Sequence, residues 1–197
     1  MSIDPRLRTA WERFLALIPV FLTIAVIGAW VLAAITLASL EHEFPTSFHA
    51  DGTPRAWADP TYWWVGPAIG TMLSLFLAGA LVLVRRFART SPQYINVPAK
   101  RLFVALPVEK RLAILPRIDQ LVLGFALILH FVLLAIIRDT GRMARHELTA
   151  ISAWKLFVLL GLAFVWVVVG ILRIRNAIRK AAASPGDSGL VSGPSDR

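Results

Sequence analysis

Four apolar runs, each long enough to cross a lipid bilayer as a helix, constrain the fold of this chain more than any other feature. A transmembrane α-helix needs about 20 consecutive, mostly apolar residues. The runs cover residues 14–40, 62–84, 118–137 and 152–172. Hydrophobic residues make up 57% of the 197-residue chain, a high fraction that agrees with four membrane-spanning helices. We therefore predict an all-α membrane protein: residues 1–180 form one four-helix transmembrane bundle, and residues 181–197 form a flexible tail.

The distribution of positive charge predicts how these helices are oriented. Lys and Arg are enriched in the cytoplasmic loops of membrane proteins. Sixteen of the 21 Lys and Arg residues lie before the first run, between the second and third, or after the fourth. Both termini are therefore predicted to be cytoplasmic, in a multi-pass protein of the bacterial plasma membrane. This topology accounts for the net charge of +9, so we expect membrane lipids and not nucleic acid as partners.

The outer connection, residues 41–61, is predicted to be short, ordered and mostly non-helical, because its Pro and Gly residues break helices. The Asp51-Gly52 pair predicts a turn. Phe48 and Trp57, on either side of this turn, are expected to anchor the loop to the membrane surface. We predict no metal site, because the spacing of the loop's His and acidic residues matches no established one. Those residues are Glu41, His42, Glu43, His49 and Asp51.

The inner connection, residues 85–117, is predicted to contain a short interfacial helix. Pro107 suits the first helical position and Glu109 the first turn, so this helix should run from Pro107 to about Leu115. Pro116 should then break or kink it. The mixture of basic and apolar residues in this segment is typical of a helix that lies on anionic headgroups. A surface for a cytosolic partner is the alternative.

Small residues predict where the helices pack. They recur every four residues in the second run, at Gly66, Gly70, Ser74 and Ala78. Such a stripe lets the backbones of transmembrane helices approach closely. A contact within the bundle is the simpler interpretation, and a homodimer interface is the alternative.

His130 is the one histidine that lies within an apolar run, and an ionisable group inside the membrane is a functional candidate. A neutral imidazole, hydrogen-bonded to a hydroxyl or a carbonyl of a neighbouring helix, is the simpler interpretation. A role in substrate or proton handling is the alternative. Because the chain has no cysteine and no recognised catalytic motif, we predict a non-enzymatic protein with no cofactor.

Two loop segments resemble a known family. The outer loop reads Pro-Thr-x-Phe-x-Ala-x-Gly-x-Pro-x-x-Trp from Pro45 to Trp57, and the inner connection reads Pro-x-x-x-Asn-x-Pro-x-Lys at Pro92, Asn96, Pro98 and Lys100. Both resemble the bacterial membrane family called domain of unknown function 1648, which is related to the N-terminal domain of SdpI-type toxin-immunity proteins. Ser47 and His49 depart from the family pattern. The resemblance covers about residues 14–137, and it implies no known active site.

Together these features predict a non-enzymatic membrane protein that binds an envelope peptide, protein or other ligand. Its outer loop would contact that ligand through Pro45, Phe48, His49, Gly52 and Trp57. The inner motif would meet a partner in the cytoplasm. An accessory subunit of a larger respiratory or transport complex is the main alternative, and it rests on the small-residue stripe. A small transporter is a weaker alternative, since it rests on His130 alone.

Overall fold

The computed structural model describes residues 15–40, 43–151 and 153–184. Its helices in chain order are α1 (Ile18–Leu37), α2 (Val65–Thr90), α3 (Lys100–Ala105), α4 (Val108–Leu112), α5 (Leu115–Ala144) and α6 (Ala153–Ala183). The four long helices α1, α2, α5 and α6 fall on the four apolar runs, and each is long and apolar enough to cross a membrane. The prediction of four such helices is thus confirmed.

The long helices extend beyond the apolar runs, because capping and Pro set helix ends and hydropathy does not. α2 continues through three arginines and stops just before Pro92. α5 continues past residue 137 to a Schellman motif, in which the Glu147 amide donates to the Arg142 carbonyl and the His146 amide to the Met143 carbonyl, both at 2.9 Å. α6 reaches Ala183, three residues into the predicted tail. Residues 185–197 of that tail lie outside the described residues.

Helix α5 lies at the centre of the bundle and packs against α1, α2 and α6. Small residues make these contacts possible. Ala25, Ala29 and Ala33 form a buried stripe along α1. On α5 itself, a Cβ added at Gly141 would lie 2.3 Å from the Thr36 methyl of α1, and a Cβ added at Gly124 would lie 2.3 Å from the Trp166 ring of α6. The glycines of α5 therefore accept side chains from both flanking helices.

One end of the bundle, called the hairpin end below, carries a two-stranded antiparallel sheet. Strand β1 (Phe44–Phe48) pairs with β2 (Pro54–Ala58), and β1 packs against α5. The tip of the hairpin is docked, because the Ile151 amide donates to the Gly52 carbonyl at 2.9 Å. The described part of the outer loop, residues 43–61, is mostly non-helical, as predicted. The all-α prediction did not include this sheet.

The opposite end, called the basic end below, is covered by residues 91–114. Phe103, Leu106 and Ile114 of this segment are buried against Ile174 and Ile178 of α6. The predicted short helix is present as α4, with Pro107 as its N-cap residue, whereas α3 was not predicted. The helix is interrupted before the third span, as predicted, because α4 ends at Leu112 and α5 begins at Leu115. Pro116 lies in the first turn of α5, where its missing N–H is tolerated. This connection therefore folds onto the bundle through its apolar side chains.

Candidate functional site

The hairpin end contains a cavity of about 440 Å³ between β1, the start of α2 and the C-terminal half of α5. Pockets that bind small molecules have volumes of about 300–1,000 Å³ and are mostly apolar. The lining here is predominantly apolar, with two threonine hydroxyls and one phenol. The lining residues are Phe44, Pro45, Thr46, Phe48, Ala58, Tyr62, Trp63, Val65, Gly66, Leu133, Ile136, Ile137 and Thr140. The cavity thus has the size and chemistry of a site for a hydrophobic ligand.

Trp63 fixes the wall of this cavity. It lies in the 3-10 helix Pro60–Trp64, which Asp59 caps by accepting a hydrogen bond from the Thr61 amide at 2.8 Å. The Trp63 ring is buried, and its Nε1 donates to the Ala33 carbonyl of α1 at 2.9 Å. Phe44 of β1 meets the ring edge-on, with centroids 4.8 Å apart. These contacts connect the hairpin to α1 and fix one wall of the cavity.

Of the five outer-loop residues predicted to bind a ligand, two line the cavity and three lie outside it. Pro45 and Phe48 line the cavity. Trp57 is 43% exposed on β2, outside the cavity, and His49 is exposed beside the turn. Gly52 is buried at the docked tip of the hairpin, where its φ of +86° is a left-handed conformation that Gly adopts readily. The backbone conformation alone therefore explains why residue 52 is a glycine, without any contact to a ligand.

The polar loop side chains form local hydrogen bonds. The Asp51 carboxylate accepts from the Thr53 hydroxyl at 2.6 Å and from the Thr53 amide at 2.9 Å. These two bonds hold the pKa of Asp51 below its ordinary value, because they favour the charged form. Among the described residues, no three His or acidic side chains lie close enough together to hold a metal ion. Glu41 and His42 lie outside the described residues.

Two polar residues near this cavity were missed by the sequence analysis. Asp139 is 3% exposed, and Lys155 of α6 donates to its carboxylate at 3.3 Å. Thr140 lines the cavity, and its buried hydroxyl has no hydrogen-bond partner within the described part of the chain. The predicted third span ended at residue 137, so both residues were assigned to a loop. The small residue Gly141 was the available signal of a helix contact beyond the apolar run.

His130 is 2% exposed and faces α2. Its Nδ1 lies 2.9 Å from the Ala126 carbonyl, which can only accept, so Nδ1 is the donor. Its Nε2 can then accept from the Ser74 hydroxyl at 3.4 Å. An imidazole protonated only at Nδ1 is thus satisfied by its contacts with Ala126 and Ser74.

The small-residue stripe lies largely inside the bundle. Gly70 and Ser74 adjoin His130, and Gly66 contacts Leu133 and Ile137 of α5. Ala78 is exposed.

The inner motif contributes to a second cavity, at the basic end. This cavity has a volume of about 710 Å³ and lies between α2 and α6, with α5 behind it. Asn96 and Pro98 line it together with Tyr94 and apolar side chains. Pro92 opens the short 3-10 helix Pro92–Tyr94, and Lys100 is exposed at the start of α3. The motif residues therefore close the cavity or lie beside it.

The fold and these cavities define a class of protein: a helical protein with four helices able to span a membrane and an apolar pocket at one end. The chain matches no protein-family profile, no curated protein and no solved structure.

Proposed function

We propose that this chain is a non-enzymatic, multi-pass protein of the bacterial plasma membrane that binds a hydrophobic envelope ligand at its hairpin end. The observation that carries this proposal is the apolar cavity of about 440 Å³ beside the hairpin. The positive-inside rule supports a cytoplasmic position for the basic end and for both termini, which leaves the hairpin end facing the envelope. The resemblance of the outer loop to a membrane family of unknown function that is related to toxin-immunity proteins is consistent with this assignment.

The chemistry of the lining supports a ligand with an apolar chain and at most a few polar atoms. Burial of apolar surface stabilises a complex by about 25 cal/mol per Å². The Tyr62 hydroxyl and the Thr140 hydroxyl, which has no partner among the described residues, supply polar contacts in a mostly apolar wall. Because Trp63 is fixed by its hydrogen bond to α1, little ordering of the wall is needed when a ligand binds. An acyl chain or an apolar peptide segment has the required chemistry.

The two other functions considered have weaker support. An accessory-subunit role rested on the small-residue stripe of α2. Gly66, Gly70 and Ser74 pack inside the bundle, so only Ala78 remains for a contact with another subunit. A transporter rested on His130, whose nitrogens both have partners within the bundle and which is not among the residues lining the cavities described above.

A cavity-filling variant tests the proposal. Ala58 of β2 lines the cavity, whereas Ala56 of the same strand is exposed and outside it, so Ala58→Trp and Ala56→Trp form a matched pair. The protein would be reconstituted in vesicles that contain a phospholipid with a photoreactive diazirine in its acyl chain. Crosslinked peptides would be quantified by mass spectrometry. We expect labelling of residues 133–140 that falls about fivefold in Ala58→Trp and is unchanged in Ala56→Trp.

Labelling without enrichment near the cavity, or equal labelling in the two variants, would contradict the acyl-chain form of the proposal. Extraction in mild detergent followed by mass measurement of the intact protein provides a second criterion. A protein partner recovered at fixed stoichiometry, with no cavity labelling, would favour the accessory-subunit alternative. The two measurements together thus separate a ligand-binding protein from a structural subunit.

A further inference from the structure

A small groove at the basic end brings two arginines together. Arg117 and Gln120 of α5 and Arg173 of α6 line one cavity of about 40 Å³ between these helices. All three side chains are half-buried. This groove is separate from the cavity at the hairpin end, and the proposed function does not use it.

The groove is built by close packing of α5 on α6. The Trp166 ring lies over Gly124, and its Nε1 donates to the Leu121 carbonyl at 3.1 Å. One turn further along α6, Gly170 accepts the Leu121 side chain, since a Cβ at this position would lie 2.5 Å from a Leu121 methyl. Both glycines are needed for this approach. The two arginines are therefore held in one groove by the helix packing beneath them.

The charge of the groove is not compensated within the described part of the chain. The Arg117 Nη1 donates only to the Ala113 carbonyl of the preceding turn, at 3.4 Å, and Arg173 forms no ion pair or hydrogen bond there. By contrast, Arg85 of α2 pairs with Asp119 of α5. A guanidinium stays charged at any pH at which the protein is folded. Two such groups in one groove repel each other unless an anion lies between them.

The position of the groove indicates which anion would fit it. Arg173 follows directly after the apolar stretch of α6, whose Val165, Val169 and Leu172 are exposed. In a bilayer these side chains would lie against acyl chains, and Arg173 would lie at the level of the headgroups. Arginine pairs recognise phosphate through several charge-assisted hydrogen bonds. We propose that Arg117, Gln120 and Arg173 bind the phosphate of an anionic phospholipid of the adjacent leaflet.

A pair of double variants that remove equal charge tests this site. R117Q/R173Q removes the groove arginines, whereas R86Q/R89Q removes two exposed arginines of α2 that lie outside the groove. The purified full chain would be titrated with phosphatidylglycerol or phosphatidylcholine, and bound lipid would be counted by native mass spectrometry. We expect R117Q/R173Q to weaken phosphatidylglycerol binding about tenfold or more. The R86Q/R89Q variant and all phosphatidylcholine titrations should stay at the wild-type level.

Equal weakening in both double variants would show general charge attraction and would overturn the proposal, as would wild-type binding in R117Q/R173Q. A competition arm with inorganic phosphate distinguishes the two sources of the anion. If free phosphate displaced the lipid at equal concentration, the groove would be a site for soluble phosphate. The single variants R117Q and R173Q, with thermal unfolding as a check of folding, keep the test decisive if the double variant does not fold.

Discussion

Replacing Gly52 by Ala should detach the tip of the hairpin from the bundle. Gly52 has a φ of +86°, and its carbonyl accepts a hydrogen bond from the Ile151 amide at 2.9 Å. A Cβ at this position would lie 2.5 Å from the Ile151 carbonyl oxygen. Because that oxygen belongs to the backbone, the clash cannot be relieved by turning a side chain. The tip must move away, and the hydrogen bond is then lost.

The magnitude of this effect follows from two terms. A left-handed conformation costs an L-residue about 1–2 kcal/mol more than it costs Gly. Loss of the hydrogen bond between Ile151 and Gly52 removes about 1 kcal/mol more of net stabilisation. We therefore expect the docked state of the tip to be destabilised by about 2–3 kcal/mol. This corresponds to an increase of about 30- to 150-fold in the population of the undocked state.

Hydrogen exchange at the Ile151 amide measures this population directly, because the amide exchanges only when the tip is undocked. Exchange at Ile151 should accelerate by about 30-fold or more in Gly52→Ala. Amides in the middle of α5 should keep their wild-type rates. Gly79→Ala in α2 is the matched control, since nothing lies within 4 Å of a Cβ there. Unchanged exchange at Ile151 in Gly52→Ala, or equal acceleration in the control, would refute the reasoning.

Three further predictions concern the ends of α5. His146 has a φ of 60°, so His146→Gly should stabilise the protein by about 1 kcal/mol, measured as a rise in Tm in detergent; no rise would contradict the strain. The Arg145 guanidinium holds the pKa of Glu147 below its ordinary 4.5. The contribution of this ion pair to the stability of the fold is therefore present above pH 4.5 and is lost as the pH falls below it. Glu147→Gln should therefore flatten the acid limb of Tm against pH, and a limb of unchanged slope would count against the pair. Gly141→Ala should destabilise by about 1–3 kcal/mol, because its Cβ would overlap the Thr36 methyl. Thr36→Ala should partly restore it in a double-mutant cycle, and strict additivity would exclude that contact.

The apolar runs predicted the number and order of the long helices, because residence in a bilayer depends on local composition. They did not predict where the helices end. The end of α5 depends on a Schellman motif centred on His146, a residue that hydropathy does not mark as a helix terminus. The end of α6 depends on Lys110, which donates to the carbonyls of Ala181 and Ser184 from a distant segment. The first device is local backbone geometry that hydropathy does not encode, and the second is a contact that is remote in sequence.

The candidate site was predictable only in part, for the same reason. Pro45 and Phe48 were found because they lie in a distinctive loop. The other walls of the cavity come from α2 and α5, and no pattern within a single segment relates Gly66 to Leu133. Asp139 was missed because a charged residue normally marks the end of a span. Its pairing with Lys155, which neutralises it inside the bundle, is visible only in three dimensions.

The two proposed sites lie at opposite ends of the same helix. Thr140 lines the cavity at the hairpin end, and Arg117 lines the arginine groove. At a rise of 1.5 Å per residue, these positions on α5 are about 35 Å apart. This separation is far greater than the reach of any side chain, so no group that lines the groove contacts the cavity. The packing around Trp166 and the packing around Trp63 also share no side chain. Binding of a hydrophobic ligand and binding of a lipid phosphate are therefore independent properties, and the failure of either proposal would leave the other standing.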